Sequence, residues 1–130
     1  MTSSKQMKTA GDLLFVLVVS FATLVPGGPI ETRDFSGLGG AVFWGFNAFL
    51  IGLALVAILA AIGLRRHRKP AAWAAITVGW GYIFVIFLDL GHVFPVSPDP
   101  IPLTLGLIEI LVAMLAAYVI HLSHAALGHF

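Results

Sequence analysis

Asp89, His92 and Glu109 are ionisable residues that fall within, or at the edge of, long apolar stretches. Such groups are costly in an apolar solvent and usually face the interior of a helix bundle, where they serve ion, proton or ligand chemistry. Asn47, a neutral amide, interrupts a third apolar stretch. Asp89 and His92 stand at i,i+3 and so share one helix face, with Tyr82 and Gly81 further along the same stripe. Arg33, in a polar Gly- and Pro-rich segment, can reach the same region if that segment folds back. Carboxylates, imidazole, phenol, guanidinium and amide together could bind a cation, relay a proton or anchor a polar solute. The same set could also satisfy itself as structural glue or meet a partner subunit, and that plainer reading is preferred.

Metal chemistry has thinner support. Asp-x-x-His plus one glutamate lacks a third strong ligand. A second group, His121, His124 and His129, lies near the chain's end, with His67 in a facing loop. Histidines at a helix C-terminus are favoured by the dipole alone, and we prefer that explanation. A haem held by His92 and His121 is excluded within one subunit, since they should lie about 25 Å apart along the helix axes. The sequence names no cofactor. There is no cysteine, so thiolate and disulfide chemistry are absent. Neither a nucleophile–base pair, a phosphate loop nor a zinc motif is present, and the reading leans away from an enzyme.

The elements that position these residues follow from composition and hydropathy. Of 130 residues, 59% are hydrophobic and 10% charged, against about 25% charged in an ordinary soluble domain. A water-soluble fold of this size could not hide so much apolar surface. The expected architecture is an all-α integral membrane protein, a single domain over 1–130 built as a four-helix transmembrane bundle. The segments fall at about 12–25, 40–64, 71–94 and 101–123 by the length needed to cross a bilayer. Pro70 suits the first turn of the third helix. The first segment is short and follows Lys5 and Lys8, a pattern shared with signal peptides, and Ser20-Phe21-Ala22 could pass as a cleavage site. We read it as a retained helix; its removal would leave the orientation of the other three unchanged.

Orientation follows from the cations. Six of the seven Lys/Arg residues (Lys5, Lys8, Arg65, Arg66, Arg68 and Lys69) fall on one side if both termini are cytoplasmic. On this reading Asn47, Asp89, His92 and Glu109 sit in the outer half, with Glu109 and Asn47 roughly 10–12 Å below the outer ends of their helices. Small residues flank them: Gly106, Ala113 and Ala116 around Glu109, and Ala54 and Ala61 in heptad line with Asn47. The fifteen aromatic residues scatter through all four segments and read as outward packing. The connection Phe94-Pro95-Val96-Ser97-Pro98-Asp99-Pro100-Ile101-Pro102 should be stiff and extended, because proline fixes φ and removes a donor.

Three functions are compatible with this layout. The first is an accessory or structural subunit of a larger membrane complex, which needs little chemistry and fits short loops without a soluble domain. The second is a small homo-oligomeric transporter or channel using the outer Asp/His/Glu cluster. The third is a membrane enzyme or sensor that binds a small molecule there. The implied partners are the lipid bilayer and other membrane subunits or copies of the same chain. No basic surface suited to nucleic acid is present: the run Arg65-Arg66-His67-Arg68-Lys69 joins two apolar segments.

Overall fold

The computed structural model describes residues 3–24, 40–91 and 101–128. They form four α-helices: α1 (Ser3–Ala22), α2 (Gly40–Arg65), α3 (Lys69–Leu90) and α4 (Leu103–Leu127). The regular structure of the described residues is all helical, and α2, α3 and α4 are each long and apolar enough to cross a membrane. Each helix packs on two neighbours, α1 and α3 both lying against α2 and α4.

Heptad spacing explains why these helices turn the faces they do. Met7, Ala10, Leu14, Leu17, Phe21 and Leu24 are the buried hydrophobic residues of α1 and its following turn. Ala71, Ala75, Val78, Tyr82, Val85 and Asp89 form the same pattern in α3. In α4 it runs through Leu105, Glu109, Val112, Ala116, Val119, Ser123 and Ala126. Alternating steps of three and four keep one stripe toward the neighbouring helices, the geometry of near-parallel bundle packing. α1 begins nine residues before the apolar stretch at Asp12, because Met7 and Ala10 are already buried against the bundle. The described part of α3 ends at Leu90, where the Gly91 N–H bonds back to the Phe87 carbonyl. α4 runs four residues beyond Ser123, to Leu127.

Contacts between helices set an antiparallel order. Arg65 near the end of α2 pairs with Asp12 of α1, and Ser4 meets His67 at 3.4 Å. At the same end Trp73 of α3 lies edge-on to His124 of α4, with ring centroids 6.5 Å apart. The start of α1, the α2–α3 turn and the end of α4 therefore share one end of the bundle. Lys5, Lys8, Arg65, Arg66, Arg68 and Lys69 gather there, so this is the basic end. The Asp12–Arg65 pair is half-exposed on both sides and contributes at most about 1 kcal/mol.

The α2–α3 turn is closed by two backbone bonds, His67 N–H to the Leu64 carbonyl and Arg68 N–H to the Gly63 carbonyl. This is the double closure of a Schellman cap, whose pivot residue must be left-handed. His67 fills that place with φ 58°, where a residue bearing a Cβ is strained. His67→Gly should therefore raise stability by about 0.5–1 kcal/mol, read as a higher unfolding midpoint in detergent micelles. A lower midpoint would mean that the Ser4–His67 contact outweighs the backbone gain.

Candidate functional site

The register of the helices decides which polar residues meet. A Cβ built on Gly79 would fall 2.6 Å from Ile120 Cγ1 and 3.4 Å from the Ala116 carbonyl oxygen. Trp80, Ile83 and Phe87 share an outward groove with Ile110, Ala113, Met114 and Ala117. Carried along the two antiparallel helices, this register sets Asp89 level with Ile108 and Glu109. Both carboxyls are buried, with residue exposures of 4% and 5%. On the other side of α3, Gly63 abuts Ala71 and Gly81 abuts Leu53. That register sets Asp89 level with Gly45, two residues, or about 3 Å along the axis, from Asn47.

Asn47, Asp89 and Glu109 thus occupy one layer of the bundle, contributed by α2, α3 and α4. Each stands on its helix's heptad stripe, where an apolar residue would be usual. Asn47 is half-buried and its amide Nδ2 donates to the Phe43 carbonyl at 3.0 Å. α1 does not reach this layer: it ends at Ala22, about a turn short of Asn47 by its register with α2. α2 and α4 each extend roughly four residues past the level where α3 ends, so Asp89 is near a helix terminus yet inside the bundle. Arg33, His92 and His129 lie outside the described residues.

Tyr82 lies one heptad below Asp89 and is 1% exposed. Its ring crosses the bundle to Phe21 of α1, with centroids 4.6 Å apart and planes tilted by 51°. That pair joins the two helices that are not otherwise direct neighbours and closes the core beneath the polar layer. Next to it, a cavity of about 470 Å³ lies between the last turns of α1 and the first half of α2. Sequence spacing alone did not locate it, because α1, α2 and α3 bring its aromatic residues together from positions far apart in the chain.

At the basic end His121 stacks near Tyr118, with centroids 6.4 Å apart, and His124 meets Trp73. Both histidines are exposed. Among the described residues no group of three or more His, Cys, Asp or Glu is placed to hold a metal ion.

The fold and its inner layer define a class: a compact antiparallel bundle of four helices, three of them long and apolar enough to cross a membrane, with two carboxyls and an amide on its core stripes. The chain belongs to the DUF8051 family, described as a domain of unknown function, whose profile matches residues 6–129. No curated protein and no solved structure matches the chain.

Proposed function

We propose that the chain is a multi-pass membrane protein with both termini in the cytoplasm, acting as an accessory or structural subunit of a larger membrane complex. Membrane residence is supported by the outward faces, which are apolar along α2, α3 and α4; Trp44, Leu59 and Phe87 are each about two-thirds exposed or more. Patches of that extent are rare on monomers in water. The cytoplasmic side is the basic end, by the distribution of lysine and arginine, and α1 would be the fourth span.

The observation that carries the subunit reading is the outward face of α2. Ala41, Gly45, Ala48 and Gly52 are all exposed at steps of four, three and four. A Cβ on Gly45 or Gly52 would meet nothing within 4 Å. Lipid gains little from small residues, whereas a partner helix packs closely against them. The bundle itself does not need these positions to be small.

Gly52→Leu should therefore leave the isolated bundle intact and remove the partner. The untagged protein, mildly extracted from its own membrane, should co-purify with other polypeptides in fixed ratio by native mass spectrometry, and Gly52→Leu should lose at least most of them. A homo-oligomer or monomer without other polypeptides, unchanged by Gly52→Leu, would refute the reading.

The transporter reading is favoured by a different observation, the burial of Asp89 and Glu109 at one level. A pair of carboxyls inside a bundle can exchange protons or hold a cation. It makes an opposite forecast: Asp89→Asn or Glu109→Gln would abolish activity in folded protein without changing its assembly.

A further inference from the structure

The cavity between α1 and α2 has a mainly aromatic and aliphatic lining. Phe21, Phe43, Trp44 and Tyr82 contribute four aromatic rings, with aliphatic side chains between them. Phe43 and Trp44 meet edge to face at 5.4 Å, and Phe21 and Tyr82 are tilted against each other. No charged side chain is among the described lining residues, so a charged guest would enter without compensation. Asn47 supplies an amide to the wall. One Nδ2 proton goes to the Phe43 carbonyl, and an amide carries a second N–H with which to meet an acceptor. The volume lies within the range of small-molecule sites, roughly 300–1,000 Å³. The rim includes Trp44 and Ile51, which are 70% and 61% exposed. The opening is thus lateral, on an apolar outward face and away from the basic end.

We propose that this cavity binds a neutral, flat, carbonyl-bearing ring on an apolar tail, the chemistry of a quinone dissolved in the membrane. The rings of the wall favour a planar unsaturated guest through offset and edge-on contacts. The Asn47 amide fixes the guest's carbonyl oxygen by a hydrogen bond in a site whose other polar side chain is the Tyr82 phenol. The sideways opening lets a tail leave into the hydrocarbon without crossing the bundle. The binding step involves no electron or proton transfer. The inference rests on membrane residence and is independent of whether partner subunits exist.

Trp44 makes the test direct, because it lines the cavity while Trp73 and Trp80 lie elsewhere on α3. The full chain in detergent micelles is titrated with decylubiquinone, and tryptophan fluorescence is followed. The expected result is saturable quenching, with the saturable part lost in Trp44→Phe. Filling the space by Ala54→Phe, or from the rim by Ala22→Phe, should abolish it while helicity is retained. Asn47→Leu should weaken binding about tenfold, the loss of one hydrogen bond worth about 1.4 kcal/mol. Quenching that never saturates, or that persists unchanged in both filled variants of native helicity, would overturn the site. Equal displacement by decanol, which has a tail and no ring, would overturn the ring chemistry. Membrane residence is read separately, by resistance of the protein to alkaline extraction from native membranes, so the two failures are distinguishable.

Discussion

Asp89→Leu alone should destabilise the bundle by about 1–3 kcal/mol, and Glu109→Leu alone by a similar amount, the usual cost of stripping a buried polar group of a hydrogen-bonding neighbour. The double variant should be far less damaged than the two losses added together. The reason lies in the register: Gly79 against Ala116 and Ile120 brings the two carboxyls to one level of the α3–α4 seam, and both are within the core. Removing one takes a polar neighbour at the same level from the other; removing both leaves leucine at one level of two heptad stripes, which an apolar bundle tolerates. Reversible unfolding in mixed micelles, followed by circular dichroism across the four-member cycle, measures the difference. A coupling of about 1–3 kcal/mol is expected. Strict additivity would mean that Asp89 and Glu109 act independently, and the layer would then lose its claim to be one structural unit.

The layer also shows what could be read before any coordinates. Tyr82 and Asp89 are seven residues apart, and Asn47 is in heptad line with Ala54 and Ala61, so their sharing an inward stripe follows from helix periodicity. Overlapping depth in the outer half followed from counting the rise along each helix, whereas the axial register itself is set by contacts such as Gly63 with Ala71 and Gly79 with Ile120. How far α1 extends before Asp12 was only partly legible. Residues 3–11 hold two lysines and few large apolar side chains, and only the burial of Met7 and Ala10 between neighbours accounts for the helix there. The aromatic residues were divided by the fold rather than by spacing. Trp80, Phe84 and Phe87 do face outward, as a general outward reading expects. Phe21 and Tyr82 instead meet in the core, and with Phe43 and Trp44 they line a cavity. Their sequence separations carry no periodic signal, since the pairing is tertiary.

Gly79→Leu should be strongly disruptive, with a loss above about 3 kcal/mol. The glycine lies on the buried seam of α3, and a Cβ there would already stand 2.6 Å and 3.0 Å from the side chain of Ile120. Ile120 is itself buried and stiff at χ1 because it is β-branched, so it cannot swing aside cheaply. The remaining leucine carbons would force α3 and α4 apart along the seam that also carries the Trp73–His124 contact and the carboxyl layer. Gly52→Leu is the matched control: identical chemistry on an outward face where a Cβ meets nothing within 4 Å. Unfolding midpoints of the two variants in the same micelles should therefore differ widely, and Ile120→Ala should restore part of the Gly79→Leu loss by vacating the space the new side chain needs. Equal midpoints for the two glycine variants would show that α3 and α4 are not in close contact at Gly79, and the register that aligns Asp89 with Glu109 would fall with it.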